Sequence, residues 1–287
     1  MLGRLLVFAL LFVAGDAGAA PVASLRDTYA ALQSDLAHSA FGQPLVLASR
    51  EQDGQVTGEI HAVVDHPFQQ LRTDLASAAD WCGVLYLHLN VKSCSAETQA
   101  GSSLLRVALG RKADTADGRT YELVFTFLLE RNTRDYFHVV MQADEGPLGS
   151  RGYTLAFEAI PVEGNKAFLR LTYSVAYGVA GHLAMSSYLN TLGKAKVGFT
   201  VTGQRADGSA IYAGGIRGAL ERNTMRYYLA IDTCLASGAQ PEAQRRRWRL
   251  DAWYTATEKY SRQLHELTRA DYLKLKGIGN QAIDPLL

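Results

Sequence analysis

The chain has 287 residues, of which 48% are hydrophobic and 20% are charged, and its formal net charge is +1. This composition is typical of a globular protein long enough to bury a sizeable core. The small net charge argues against a general nucleic-acid binder, because such proteins carry a basic excess that displaces counterions from phosphate.

The N-terminus has the pattern of a secretory leader. Arg4 precedes the apolar run 5–14, and small residues follow it. The apolar run is too short to span a bilayer, and no cysteine stands near the expected cleavage point before Ala20 to accept a lipid. We therefore expect residues 1–19 to be a signal peptide and the mature protein to be periplasmic or secreted. No transmembrane segment is expected to remain after cleavage.

The first elements predicted after the leader are a helix, a strand and two short helices. Apolar residues recur at helical spacing in 24–40, so that residues 20–54 are expected to form an amphipathic helix and a linker. Alternation in 56–64 predicts a strand. Pro67 suits the first position of a helix, and a second short helix is expected over 78–81.

The middle of the chain alternates apolar and polar residues with the period of a β-strand. The alternation is clearest in 121–130, 153–159 and 167–177, and the segments 103–110 and 136–142 are further candidates. Turn-forming sequences separate these segments. The pattern predicts an antiparallel meander with one buried face.

After Tyr177 the regular alternation ends. Residues 180–192 are expected to form a helix and 196–202 a short strand, and helical spacing returns in 220–235. A final long helix is predicted, with an apolar stripe that requires a partner surface. The one-sided sheet supplies that surface. The stripe consists of Trp253, Ala256, Tyr260, Leu264 and Leu267.

The order of these elements resembles the helix-grip fold of the START-like or polyketide-cyclase-like superfamily, also called SRPBCC. The resemblance covers about residues 55–267 and rests on the segment 59–68, on Trp81 and on the closing helix around 253–267. It implies an α+β fold in which a curved antiparallel sheet wraps around a long C-terminal helix. In many relatives, an apolar cavity between sheet and helix holds a lipid, a sterol, a polyketide or another hydrophobic molecule.

The chain departs from this family pattern in two places. It has an extra N-terminal helix, and it has a long helical insertion at about 178–241. With these additions, residues 55–287 are expected to form a single START-like domain.

The resemblance implies non-covalent binding of a hydrophobic or amphipathic, lipid-like partner. Aromatic side chains with polar tips suit such a ligand. A filled core, in which these side chains occupy one another's space, remains an equal alternative and would favour a cell-envelope interaction or structural protein. The candidate ligand-binding residues are Tyr121, Phe125, Phe127, Phe157, Tyr173, Tyr177, Trp253 and Tyr260.

One local cluster has the residue types of an acid/base site. If 87–92 is a strand, His88, Asn90 and Lys92 share a face, which would suit a cyclase or hydrolase. A solvated strand face is the other interpretation. No nucleotide-binding, nucleophile-elbow or metalloprotease motif occurs in the sequence, and neither a cofactor nor a metal ion is expected.

Three cysteines, Cys82, Cys94 and Cys234, leave room for one disulfide in an exported protein. If 83–93 were a straight strand, its ends would lie roughly 35 Å apart and Cys82 could not reach Cys94. If a helix instead continues to about Tyr86 and the chain then reverses into a strand, the two sulfur atoms approach. We favour the second arrangement and expect the pair Cys82–Cys94.

Two charged segments lie near the predicted C-terminal helices. Residues 221–228 and 257–266 are dense in groups that can form ion pairs, or whose arginines can clamp an anionic headgroup. The basic run 245–249 is compatible with peripheral contact to an anionic membrane. A structural or solvated role is the more common one for all three segments.

Overall fold

In the part of the chain that the structure describes, eight antiparallel strands form the central sheet. The computed structural model describes residues 19–99, 102–110, 120–178 and 196–277. The strand order is β1-β2-β8-β7-β6-β5-β4-β3, so that β2, near the start of the chain, pairs with the last strand of the meander. The strands are β1 (Leu45–Gln52), β2 (Gln55–Val64), β3 (Val91–Gln99), β4 (Ser102–Leu109), β5 (Tyr121–Asn132), β6 (Phe137–Glu145), β7 (Ser150–Val162) and β8 (Lys166–Tyr177).

Helices pack on both faces of this sheet. None of the helices in the described residues is long and apolar enough to cross a membrane. A separate small sheet pairs β9 (Val201–Gln204) with β10 (Ala210–Tyr212). Within the described ranges, the helices are α1 (Ala19–Ala31), α2 (Gln33–Ala37), α3 (Phe68–Asp74), α4 (Ala78–Tyr86), α5 (Gly215–Ala236), α6 (Glu242–Glu258), α7 (Ser261–Leu264) and α8 (Arg269–Leu275).

Two predictions fall mainly or wholly on residues outside the described ranges. The expected leader is described only at Ala19, where α1 begins. The helix expected at 180–192 lies wholly outside the described residues. Both therefore stay predictions.

The segment that we assigned to a linker contains a strand. Strand β1 pairs with β2 from Leu45 opposite Ala62 to Gln52 opposite Gln55, without a register shift. The two-residue turn between them is Asp53-Gly54, and both residues have positive φ angles. Positive φ at both central positions is the requirement of the tight turn that matches strand twist. The sequence indicated the turn but not β1, whose second half is mostly exposed and does not alternate regularly.

The chain reverses between α4 and β3 as we favoured. Ser77 caps α4 and forms a capping box with Asp80, and the indole N–H of Trp81 donates to the carbonyl of Leu75 at 3.0 Å. Helix α4 continues to Tyr86, and β3 begins at Val91. This reversal brings the Cα atoms of Cys82 and Cys94 to 5.3 Å, and the predicted disulfide is confirmed.

The helix that packs against the sheet is α5, which the sequence analysis placed in the insertion. A Cβ atom at Gly58 of β2 would lie 2.5 Å from Thr224 Oγ1 of α5, so only glycine allows this close approach. The expectation that the stripe around Trp253 faces the sheet is wrong. Helix α6 packs mainly against α5, and the Trp253 indole donates to the carbonyl of Arg226 at 3.1 Å. The helix-grip, α+β fold class is confirmed, with α5 as the gripped helix.

The N-terminal helices cover the opposite, convex face of the sheet. Leu25 and Leu36 are buried there in a second apolar cluster with Tyr136, Ile160 and Phe168. The amphipathic helix predicted over 24–40 is therefore present, interrupted at Leu32 between α1 and α2. The expectation of a single buried sheet face is wrong, because α1 and α2 bury part of the second face.

Candidate binding site

Four tyrosines meet where α5 crosses the concave face of the sheet. Tyr153 lies on β7, Tyr173 and Tyr177 on β8, and Tyr227 on α5. The ring centroids of Tyr153 and Tyr173 are 6.5 Å apart, and those of Tyr173 and Tyr227 are 5.3 Å apart. Phe125 of β5 contacts the Tyr153 ring edge-on at 6.5 Å. We call these four tyrosines the tyrosine cluster.

Local sequence periodicity positions the members of this cluster. Residues Tyr173 and Tyr177 lie on the same face of β8 because side chains alternate along a strand. Gly58 is the residue opposite Tyr173 on β2, and its missing side chain lets α5 approach. On α5, Leu220, Thr224 and Tyr227 follow one another at steps of four and three, which places Tyr227 on the side that faces the sheet.

The hydroxyl groups of the cluster differ in their partners. Tyr153 Oη lies 2.7 Å from Ser150 Oγ. Within the described ranges, no hydrogen bond involves the hydroxyls of Tyr173, Tyr177 or Tyr227, and the buried side-chain atoms without a partner are all arginine nitrogens. These three hydroxyls are therefore in contact with space that a water molecule can enter.

The cluster is nevertheless deep in the protein. Burial raises the pKa of Tyr173, Tyr177 and Tyr227, because the phenolate would lose its hydration, and neighbouring tyrosines raise it further. The cluster therefore combines aromatic rings with polar tips and accessible, unpartnered hydroxyls, which is the kind of surface expected for an amphipathic ligand.

His88 lies beside the cluster, in the turn after α4. Its ring stacks on Tyr227 with centroids 5.2 Å apart, and Nε2 lies 3.2 Å from Asn223 Oδ1. Nδ1 accepts the backbone N–H of Asn90 at 3.2 Å, so that Nε2 is the nitrogen that donates to Asn223. Both ring nitrogens thus contact protein groups in an interior position.

The expected face of His88, Asn90 and Lys92 is not formed. Residues 87–90 form the turn between α4 and β3, so only Lys92 lies on a strand. Its side chain runs past Gly110, where an added Cβ would approach Lys92 Cε to 2.7 Å. The alternation in this segment belongs to a turn and not to a strand. No observation tests a catalytic role for the three residues.

The predicted ligand-binding residues do not form one site in the structure. Phe125, Tyr173 and Tyr177 lie in or against the tyrosine cluster, and Phe127 is buried on the same face of β5 as Phe125. Phe157 is fully buried in the core, with Trp81 at 5.7 Å and Phe137 at 6.1 Å between ring centroids. The ligand-binding role of all of them stays a prediction.

The other three predicted residues are not members of the cluster, although Tyr121 is near enough to Tyr153 to raise the pKa of its hydroxyl slightly beyond the effect of burial. Tyr121 is 39% exposed at the start of β5. Trp253 contacts the backbone of α5 and the ring of Tyr272. The Tyr260 hydroxyl donates to the carbonyl of Phe41 at 2.9 Å and accepts from the side chain of Gln43 at 3.2 Å, which ties the C-terminal layer to the start of β1.

Two residues of the cluster, Tyr153 and Tyr227, were not predicted from the sequence as ligand-binding residues. Tyr153 belongs to a predicted strand and alternates with Thr154, so its orientation could have been found from the period of two. Tyr227 has the helical spacing of α5, but that helix was assigned to an insertion. Its contact with β8 depends on packing between segments about fifty residues apart, which the period of one segment does not reveal.

Two surface concavities among the described residues lie elsewhere. One of about 410 Å³ is lined by residues of α2 and β1, including His38, Phe41 and Leu45. The other, of about 620 Å³, lies between α3 and the end of α5, near Gln70 and Leu235. Neither is lined by the tyrosine cluster. Among the described residues, no group of three or more His, Cys, Asp or Glu side chains could hold a metal ion.

The basic run 245–249 lies in the first turns of α6. Arg246 donates to the Tyr86 hydroxyl at 3.1 Å and to the Lys276 carbonyl at 3.2 Å, and Arg249 donates to Ser237 Oγ at 2.7 Å. Arg247 has an exposed side chain. Most of the run is therefore used in contacts within the protein, and membrane contact stays a prediction.

The eight-stranded sheet, with α5 on its concave face, defines a helix-grip protein. No family model matches the chain, and no curated protein matches it.

Solved structures that match the chain include a protein from Thermus thermophilus, with TM-score 0.40 and 13% identity over 69% of this chain and 100% of that one. Human StAR-related lipid transfer protein 5 matches with TM-score 0.36 and 10% identity, over 76% of this chain and 96% of that one. The Zhui aromatase/cyclase from Streptomyces sp. R1128 matches with TM-score 0.33 and 13% identity, over 72% and 95% of the two chains. The likeness concerns the fold at most, and the activities in these names belong to those proteins.

Proposed function

We propose that the protein binds a hydrophobic or amphipathic, lipid-like small molecule between its sheet and α5, without a covalent step. The proposal is carried by the accessible, unpartnered hydroxyls of Tyr173, Tyr177 and Tyr227 deep in the protein. Their rings offer apolar contact area, and their hydroxyls can receive or donate hydrogen bonds to the polar end of the ligand. His88, held at both ring nitrogens, keeps Tyr227 in position.

Native mass spectrometry of gently purified protein is the first test. We expect a co-purified small molecule, or a mass shift on addition of a fatty acid or a lysophospholipid. Protein that carries no such molecule and shows no shift with either probe would contradict the proposal and favour an interaction protein with a filled core.

The Tyr227→Phe variant tests the site itself. The variant keeps the ring and removes one hydroxyl, so affinity for a fluorescent fatty acid should fall by about two- to tenfold, the range of one lost hydrogen bond. Tyr29→Phe is the matched control, because Tyr29 packs on Phe168 at the convex face. Equal affinities of the two variants, measured by fluorescence titration, would place the ligand elsewhere.

We further propose that the protein acts outside the cytosol, in the periplasm or as a secreted protein. The support is the leader pattern of residues 1–19. N-terminal sequencing of the protein from an exporting bacterial host should begin at Ala20. Recovery of the chain from the cytosol with Met1 intact would contradict this assignment.

A further inference from the structure

Arg222 is a buried cation without a hydrogen-bond partner. Its side chain lies on α5, and the residue is 6% exposed. Both Nε and Nη1 are buried and unpartnered, and no hydrogen bond of the described residues involves Nη2 either. Since Nη2 is not among the buried atoms, it is the nitrogen that has access to solvent. Burying a cation without a partner is costly, so such a group requires an explanation.

The side chains around Arg222 do not neutralise it by direct contact. Arg226, one turn further along α5, donates to Glu266 Oε1 at 3.0 Å and to the carbonyl of Leu264 at 3.2 Å, and its own Nε is buried and unpartnered. Lys196 Nζ lies 3.8 Å from Glu266 as well. The carboxylate of Glu266 thus interacts with the cations of Arg226 and Lys196. Arg222 is a third cation near the same carboxylate.

The other nearby carboxylate, Glu221, is engaged in a different direction. Its Oε2 accepts the backbone N–H groups of Phe199 at 2.6 Å and Thr200 at 2.9 Å, and its Oε1 contacts Ser49 Oγ and Arg217. Among the described residues around this position, the positive charges of Arg222, Arg226 and Lys196 therefore exceed the negative charge of Glu266.

The guanidinium of Arg222 lies on a different side of α5 from the tyrosine cluster. Arg222 and Arg226 lie on the side of α5 opposite Leu220 and Thr224, toward the layer that contains Leu264 and Glu266. A ligand bound between sheet and α5 would not reach the guanidinium of Arg222 from that side. The two sites can be tested independently.

We propose that Arg222, assisted by Arg226, binds an oxyanion, a carboxylate or phosphate group, between α5 and the segment 264–266. A guanidinium presents several N–H donors in a planar arrangement that matches two oxygens of such a group. The oxyanion would reach the guanidinium of Arg222 at Nη2, the nitrogen with access to solvent, and would balance the excess positive charge. It comes either as a free anion or as the headgroup of an anionic lipid.

The test compares thermal unfolding of the purified protein in inorganic phosphate, in acetate and in chloride at equal ionic strength, and with added lysophosphatidic acid. A saturating oxyanion should raise the Tm by about 5 °C, because it binds the native state alone. Arg222→Met should abolish this rise and leave the Tm in chloride unchanged or higher, because it removes a buried, unpaired charge. Arg247→Met, which removes an exposed charge, is the control and should keep the rise.

The outcomes separate the two sources of the anion. A rise with phosphate or acetate that is lost in Arg222→Met identifies a free oxyanion, and a rise with lysophosphatidic acid alone that is lost in the same variant identifies a headgroup. No rise with any probe, or the same rise in Arg222→Met as in the wild type, overturns the proposal. If Arg222→Met does not fold, Arg222→Lys keeps the charge and should weaken the anion affinity by at least about tenfold in isothermal titration, because it loses the planar donor pair; unchanged affinity overturns the proposal equally.

Discussion

The side chain of Lys276 is hydrogen-bonded to the backbone of the turn between α4 and β3. Its Nζ donates to the carbonyls of Tyr86 at 2.6 Å, His88 at 2.7 Å and Val91 at 2.6 Å. The residue is 1% exposed, and burial lowers the pKa of its ammonium group to about 7. This one side chain fixes the backbone on both sides of His88, and so it supports the position of the histidine against Tyr227.

The Lys276→Met variant should therefore be destabilised although it removes a buried charge. Methionine fills the space but leaves the carbonyls of the turn without their donor, and the expected loss in the free energy of unfolding is about 2–3 kcal/mol. Urea unfolding followed by circular dichroism measures it. Lys274→Met, at an exposed position of α8, is the control. Equal stability of the two variants would show that water replaces the ammonium group.

At the scale of elements, the disulfide joins the helix before this turn to the strand after it. Cys82 lies on α4 and Cys94 on β3, 12 residues apart in sequence. The third cysteine, Cys234, is buried on α5, and burial raises the pKa of its thiol to about 12. Cys234 is therefore a poor nucleophile in the native protein and does not compete for the disulfide.

The double variant Cys82→Ala/Cys94→Ala should lose about 3 kcal/mol of stability, because the unfolded chain regains the freedom of a closed loop of this length. Urea unfolding of the wild type with and without reductant gives the matched comparison. Reductant should destabilise the wild type by a similar amount and leave the double variant unchanged. A wild type whose stability is unaffected after complete reduction, verified by mass spectrometry, would contradict this expectation.

At the scale of the whole molecule, a row of polar side chains crosses four strands on the convex face. His138, Glu158, Arg170 and His61 stand opposite one another on β6, β7, β8 and β2. Arg170 Nε donates to Glu158 at 2.6 Å, and the hydroxyl of Tyr136 donates to the same carboxylate. The row therefore links three strands of the meander to β2, which comes much earlier in the chain.

Protonation of the two histidines should weaken this half of the fold. Burial lowers the pKa of His61 and His138 below the ordinary value of 6.5, although Glu59 and Glu158 near His61, and Glu158 and Glu130 near His138, oppose the shift. The unfolded chain then binds protons before the native protein does, so stability is present above pH 6.5 and is lost as the pH falls below it.

The free energy of unfolding should therefore fall between about pH 7 and about pH 5, and the double variant His61→Gln/His138→Gln should show a smaller slope. Urea unfolding at a series of pH values measures both. His38→Gln, at an exposed position of α2's C-cap, should retain the wild-type slope. A double variant with the wild-type slope would assign the acid sensitivity to other groups.

Several features of this molecule followed from short-range sequence patterns. The amphipathic spacing of Leu25 and Leu36 predicted the N-terminal helix, and the alternation around Tyr173 and Tyr177 predicted β8 and the face it presents. The disulfide was predicted because the chain reversal between Cys82 and Cys94 is a local event. In each case the physical cause, the periodicity of a helix or strand or the reach of a short loop, acts within about fifteen residues.

The identity of the gripped helix did not follow from such patterns. Helices α5 and α6 both have apolar residues at helical spacing, and nothing in that spacing says which one the sheet will accept. Gly58 favours α5 as the helix on the sheet, because the missing side chain at this position of β2 makes room for Thr224. The face of His88 was misjudged for a related reason, since the alternation of 87–92 suits a strand as well as the turn that the chain forms.

The sequence by itself determined the α+β class, the strand meander, the amphipathic N-terminal helix and the disulfide, because each arises from local periodicity or a short loop. Only the tertiary structure decided that α5 lies on the sheet, that Tyr153 and Tyr227 join Tyr173 and Tyr177, and that Arg222 is buried without a partner. These features depend on which surfaces meet across long stretches of chain. Burial, the loss of hydration that raises or lowers a pKa, and the absence of a hydrogen-bond partner exist only once those surfaces have come together.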